Sequence, residues 1–164
     1  MELGSERLEL IPLTARQLKL WLNDVEALGN ELNCSYHGEP IKGQFVEFIR
    51  ERADKAENDS ENYVFHTLWF IVRKADRLVM GEIAFTGTPD ENHEVEIGYG
   101  LSKEFEGMGY MSEAVKVLCE WALTREEINH VIAETENNPK SENILKRVGF
   151  MQYKQNDTTA WWRI

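Results

Sequence analysis

EVEIGYGLSKEFEGMGYMSEA, residues 94–114, decides how the rest of the chain is read. Residues 94–101 alternate apolar and polar, which predicts a strand. Two glycines, Gly107 and Gly109, follow in a short loop, and from Tyr110 the apolar residues recur at helical spacing. Strand, glycine loop and helix together are one way to hold a phosphate. Glycines let backbone N–H groups approach an anion, and a helix N-terminus adds partial positive charge. Two glycines in a loop also describe an ordinary turn, so the surrounding elements have to decide.

Working outward, residues 7–13 (RLELIPL) read as a first strand, with Pro12 near its exit. Thr14 to Gln17 fits a capping box. Leu18, Trp21, Leu22, Val25 and Leu28 then mark one helix closed by Gly29 in the left-handed conformation. Residues 30–40 read as loop, 42–57 as a second helix, and 57–62 as an exposed turn. Residues 66–73 and 78–85 are dense apolar strands joined by a hairpin turn at 74–77, and a longer loop at 86–93 leads back to residue 94. Three consecutive strands with short links predict an antiparallel meander. Beyond the glycine loop come a helix over 110–125, a strand over 130–135 and a helix opened by Asn138 and Pro139 and stopped by Gly149. A strand pair over 150–154 and 158–164 completes the order β α α β β β α β α β β, with no internal repeat or linker.

The composition narrows the class. The chain has 164 residues, 42% hydrophobic and 29% charged, enough for one domain with a substantial core. No apolar run is long enough for a membrane span, and the first ten residues carry no secretory pattern, so a cytoplasmic protein is expected. Cys34 and Cys119 make no disulfide framework, and Cys119 falls on an apolar helix face. The four histidines are scattered without metal-ligand spacing, so no metal is expected. The formal net charge of −11, without a Lys/Arg cluster, argues against nucleic acid and mildly favours a cationic partner.

A second motif, NPKSENILKRVGF (residues 138–150), makes the reading specific. The order of elements resembles the GNAT acyltransferase superfamily, which moves acyl groups from coenzyme A to amines. In that family a central strand leads to a loop Q/R-x-x-G-x-G/A, here Glu106-Gly107-Met108-Gly109-Tyr110-Met111. A later helix carries N-x-x-S, here Asn138 and Ser141, and ends in K-x-G-F, here Lys146 to Phe150 with one residue more between Lys and Gly. GYMSEA and RLELIPLT are also similar to the branch containing ribosomal-protein N-terminal acetyltransferases. The resemblance covers essentially the whole chain. It implies a mixed α/β fold (α+β) in a single domain over 1–164, with a mostly antiparallel central sheet of about seven strands flanked by about four helices. Glu106 departs from the family's Gln or Arg, Met111 stands where Gly or Ala is commoner, and Leu145 occupies the position where many relatives carry a thiolate-protonating tyrosine.

The resemblance implies acetyl-CoA as co-substrate. Backbone groups of Leu101 on the strand would hold its pantetheine arm, and Gly107, Met108, Gly109, Tyr110, Met111 and Ser112 would cradle its pyrophosphate. Asn138 either bonds the pantetheine amides or is a plain N-cap. Amine attack on a thioester needs a base, an oxyanion donor and a proton for the leaving thiolate. Strand alternation turns Val95, Ile97, Tyr99 and Leu101 one way and Glu94, Glu96, Gly98 and Gly100 the other. A carboxylate midway along a covered strand makes Glu96 the leading base, with Glu82 as rival. Gly98 and Gly100 signal a bulge or a close backbone approach. Ser141 either places a hydroxyl near the sulfur or is an exposed first-turn serine, and Tyr153 is a substitute acid or a packed side chain. Trp161 and Trp162 should face opposite ways.

The resulting expectation is direct acetyl transfer from acetyl-CoA to a primary amine, either a protein α-amino group or a small amine. The partner is an amine-bearing small molecule or peptide, not nucleic acid or membrane, and the protein is a monomer or homodimer. The rivals are a non-catalytic coenzyme A- or peptide-binding module of the same fold and another nucleotide-binding fold. Absence of GxxxxGK[ST] and of a full GxGxxG disfavours the latter.

Overall fold

Near-continuous burial along the central strands over 68–73 and 78–85 marks a sheet covered on both faces there. In the computed structural model, which describes residues 1–164, the elements are β1 (Leu3–Gly4), β2 (Leu8–Pro12), α1 (Ala15–Asn23), α2 (Val25–Leu32), α3 (Gln44–Asn58), α4 (Tyr63–His66), β3 (Leu68–Arg73), β4 (Leu78–Phe85), β5 (Glu94–Leu101), α5 (Tyr110–Leu123), β6 (His130–Glu136), α6 (Pro139–Val148), β7 (Met151–Gln155) and β8 (Thr159–Arg163). The strands form one sheet in the order β1-β2-β3-β4-β5-β6-β8-β7. Every neighbouring pair is antiparallel except β5 and β6, which run parallel. One face packs Trp69, Ile71, Ile83, Val95 and Ile97 against Met111, Val115 and Leu118 of α5 and Leu145 of α6. The other packs Phe70, Val72 and Ala84 against Leu18, Trp21 and Leu28 of α1 and α2 and Ile49 of α3. No helix is long and apolar enough to cross a membrane.

The mixed, mostly antiparallel fold class agrees with expectation, but the element count is higher, with eight strands and six α-helices. The predicted single helix over 14–29 is two. The capping box at Thr14 is formed, but Asp24 leaves helical geometry (φ −159°, ψ 83°) and its carboxylate accepts from the Ala27 N–H to start α2. Gly29 does not end the helix; Asn33 does, at φ 52°. A Cβ at Gly29 would lie 2.7 Å from the Cys34 carbonyl oxygen, so this glycine serves a close approach. Residues 57–62 are not a plain turn. α3 runs to Asn58, a 3₁₀ turn spans Ser60–Asn62, and α4 takes in His66, which binds Asp59 at 2.9 Å. β3 therefore begins at Leu68, two residues later than expected. Trp162 is buried and donates to Thr135 Oγ1, whereas Trp161 lies on the opposite face and donates to Glu134.

Candidate active site

The site starts where the sheet comes apart. β5 pairs with β6 over three residues only, Glu94↔His130, Val95↔Val131 and Glu96↔Ile132. Beyond that point β5 stays with β4 to Leu101 while β6 stays with β8 to Glu136. The Glu96 carbonyl accepts from Thr86 and the Met80 carbonyl accepts from Ser102, so even-numbered backbone groups of β5 face β4. In an extended strand the odd-numbered ones face the other way. The N–H and C=O groups of Tyr99 and Leu101 therefore open into the gap. Close packing holds β4 and β5 together at this point. A Cβ at Gly81 would lie 2.1 Å from the Gly100 carbonyl oxygen, and one at Gly100 would lie 3.0 Å from Glu82 Oε1. The close approach foreseen for Gly98 and Gly100 is thus present at Gly100; a Cβ at Gly98 meets open space.

The gap leads to the N-terminus of α5. Gly107 and Gly109 both have φ +80°, the left-handed conformation that glycine adopts without steric cost. Gly109 is the N-cap of α5 and supplies no side-chain cap. By contrast Thr14, Asp24 and Asn138 cap α1, α2 and α6 with side-chain oxygens. The first-turn N–H groups of α5 are thereby left without a side-chain acceptor. Ser112 Oγ, in the same turn, is buried without a hydrogen-bond partner. A cleft of about 660 Å³ gathers Leu101, Gly107, Gly109, Tyr110, Met111, Ser112, Asn138 and Ser141, together with Lys140 and Arg147. Met108 stays outside it with its side chain half exposed. Glu106 forms an ion pair with Lys140 (2.9 Å), joining the glycine loop to the first turn of α6 across the cleft. The unusual acid at the head of the loop motif is therefore neutralised by a cation from the second motif. The arrangement fits coenzyme A: uncapped N–H donors for a diphosphate, an open strand edge for an extended amide-bearing arm, and space between them.

Asn138 uses its side-chain oxygen to cap α6 through the Ser141 N–H (3.1 Å). Ser141 Oγ lies 2.7 Å from the hydroxyl of Tyr99, and both side chains line the cleft. Burial pushes the Tyr99 hydroxyl upward, and the Ser141 hydrogen bond opposes this. Leu145 is fully buried in the core, so the position where relatives carry tyrosine points away from chemistry here. Tyr99 puts a phenol into the cleft from the strand instead. Tyr153, the other candidate acid, is exposed on β7 beside Arg163 and outside the cleft.

The carboxylates lie on the opposite face of β5. Glu96 stands at the last paired position before the strands part, half-buried and without a cation. Burial first, then the neighbouring Glu134, raise its carboxyl, while a long contact from the Thr86 hydroxyl opposes this. Glu82, on β4 opposite Gly100, is pushed by burial from 4.5 to about 7. It has neither an ion pair nor a hydrogen-bond partner to offset that cost. No cluster of three or more His, Cys, Asp or Glu side chains is placed to hold a metal ion. Neither Tyr99, whose side chain lines the cleft, nor Arg7, whose guanidinium reaches the glycine loop, was among the candidate residues read from the sequence. Strand parity was the available signal for Tyr99, since it turns that residue to the face opposite Glu96, which α5 and α6 cover.

Comparison with known proteins agrees with this geometry. A protein-family model described as acetyltransferase (GNAT) domain matches residues 7–151. An uncharacterized N-acetyltransferase, YjdG of Bacillus subtilis, is 32% identical over 153 residues, covering 92% of this chain and 88% of that protein. The ribosomal-protein-serine acetyltransferase of Escherichia coli is 29% identical over 110 residues, covering 64% of this chain and 61% of its own. Among solved structures, RimL, a ribosomal L7/L12 α-N-protein acetyltransferase in complex with coenzyme A, superposes with a TM-score of 0.63 at 16% identity, covering 100% of this chain and 97% of that one.

Proposed function

The chain belongs to the GNAT acetyltransferase family, and from that premise we propose that it acetylates the α-amino group of a protein N-terminus by direct attack, with both substrates bound. The observation that carries this reading is the single cleft joining the open edge of β5 to the uncapped start of α5. Bound there, acetyl-CoA supplies an activated acyl group on a thiolate leaving group. The N–H groups from Gly107 to Ser112 would hold its diphosphate, the backbone of Tyr99 and Leu101 its arm, and the free amide of Asn138 a carbonyl along that arm.

The remaining chemistry belongs to this chain's side chains. Glu96, raised and lacking a cation, attracts an ammonium to the parting of the strands and takes its proton, directly or through water. An α-amino group, with a pKa of about 8, loses that proton to a carboxylate far more readily than a lysine side chain does. This favours an N-terminal acceptor, as do the names of the ribosomal-protein relatives. The Tyr99–Ser141 hydroxyl pair stores a proton for the departing thiolate on the cleft side of β5. Burial pushes the Cys119 thiol up to about 12, which removes it as an acyl carrier near neutral pH. A second reading has Glu82 as the base, favoured by a carboxyl that titrates near 7.

The test is thiol release from acetyl-CoA against peptides with free and blocked N-termini and against small amines. Free-N-terminus peptides should be turned over and blocked ones should not. Turnover of small amines alone would overturn the acceptor assignment. Glu96→Gln and Glu82→Gln, each assayed across pH, identify the base as the carboxylate whose loss abolishes the acidic limb of kcat/KM.

A further inference from the structure

Arg7 lies just before β2, outside both sequence motifs and outside the residues lining the cleft. Its backbone is anchored, since its carbonyl accepts from the Lys74 N–H at 2.8 Å. From there the guanidinium reaches the glycine loop, about a hundred residues away in sequence. Nη1 donates to the Met108 carbonyl oxygen at 3.1 Å and Nε to Glu113 Oε1 at 3.3 Å, while Cζ lies 4.3 Å from the centre of the Tyr110 ring. Three contacts thus fall on the loop and the first turn of α5.

Placement of a cation here is unfavourable for the helix itself, because positive charge at an N-terminus opposes the macrodipole. Glu113 offsets that cost in part. The Met108 contact has a geometric consequence. A trans peptide holds its C=O and N–H antiparallel. Fixing the Met108 carbonyl on Arg7 therefore turns the Gly109 N–H away from Arg7, and Gly109 lines the cleft. A flip of the Met108–Gly109 peptide changes ψ of Met108 and φ of Gly109, and Gly109, at φ +80°, is a glycine that tolerates either sign of φ, so it does not resist the flip.

We propose that Arg7 is a positioning residue for the diphosphate-binding loop: it locks the Met108–Gly109 peptide so that the Gly109 N–H faces the cleft before the anion arrives. The proposal rests on the reading of the cleft as a coenzyme A site. Arginine suits the task because its planar fork satisfies the Met108 carbonyl and Glu113 together, which the single ammonium of lysine does not do in the same geometry.

The experiment compares wild type with Arg7→Met, which keeps an apolar stem beside Tyr110, and with Arg7→Lys. Two measurements are made: calorimetric binding of coenzyme A, and turnover with either acetyl-CoA or S-acetylpantetheine, which has the same thioester and arm but no diphosphate. Arg7→Met should weaken coenzyme A binding and raise KM for acetyl-CoA by about tenfold to a hundredfold. Its kcat and its kcat/KM for S-acetylpantetheine should stay within about twofold of wild type, and Arg7→Lys should fall between. Equal losses with both donors would make Arg7 a merely structural tie and overturn the proposal, as would unchanged coenzyme A binding in Arg7→Met. Wild type that binds no coenzyme A would overturn the cleft assignment itself, and the proposal with it.

Discussion

Replacing Glu82 by Gln should make the protein more stable, and only above a particular pH. The folded carboxyl keeps its proton up to about 7, whereas an unfolded glutamate releases it near 4.5. Between those values the folded state binds more protons than the unfolded state, so wild-type stability falls as pH rises through that window and then levels off. The gap corresponds to about 3 kcal/mol at full development, at 1.36 kcal/mol per pKa unit. Gln cannot titrate, and Glu82 has no ion pair or hydrogen bond to lose. The two proteins should therefore be close in stability below pH 4.5 and diverge in favour of the variant by pH 8. For a chain of this size that divergence corresponds to roughly 6–12 °C in Tm. Urea denaturation of both proteins at half-unit steps from pH 4 to 8.5 measures it, because shared titrating groups cancel in the difference. A stability difference that stays flat across the range would refute the assigned burial of a charge at Glu82. A difference that grows in the opposite sense would mean that the carboxylate is paired rather than stranded.

Tyr99→Phe should lower kcat by roughly a hundredfold with KM for acetyl-CoA little changed, and Tyr99→Phe/Ser141→Ala should be no worse than the more damaged single variant if the two hydroxyls act as one proton source; additive losses in steady-state kinetics would separate them. Gly81→Ala forces a Cβ to within 2.1 Å of the Gly100 carbonyl oxygen and should cost at least about 2 kcal/mol by chemical denaturation; a near-neutral result would show that β4 and β5 are not held so close. Lys140→Ala removes an exposed ion pair with Glu106, so stability should change by less than about 1 kcal/mol. KM for acetyl-CoA should nevertheless rise severalfold, because Glu106 is left unneutralised at the mouth of the cleft; an unchanged KM would place Lys140 outside ligand binding.

Local signals in the sequence carried most of the fold. The Thr14 capping box, the left-handed glycines of the loop and the Asn138-Pro139 helix start each involve residues within a few positions of one another. The break at Asp24 was hidden because Leu18, Trp21, Val25 and Leu28 stay in phase across it, so apolar periodicity reads straight through a change of helix axis. α4 has only four residues, too few for any period to show. At the site, the glycine loop and the Asn138 motif were legible for the same local reason. Tyr99 with Ser141, and Arg7 with Met108, were not, because their partners lie 42 and 101 residues away. Glu106 looked anomalous in sequence only because Lys140, its neutralising partner, belongs to a different element.

The three-residue pairing of β5 with β6 has a mechanical consequence. Two half-sheets, one ending at β5 and the other starting at β6, share a seam that closes at one end only. An extended ligand lying along Tyr99 and Leu101 would take the place of the missing length of neighbouring strand and lengthen the seam with main-chain hydrogen bonds. The donor molecule would then act as removable secondary structure as well as a reactant. The cohesion of the sheet would vary through each turnover, and unzipping those bonds would be part of letting the spent carrier go.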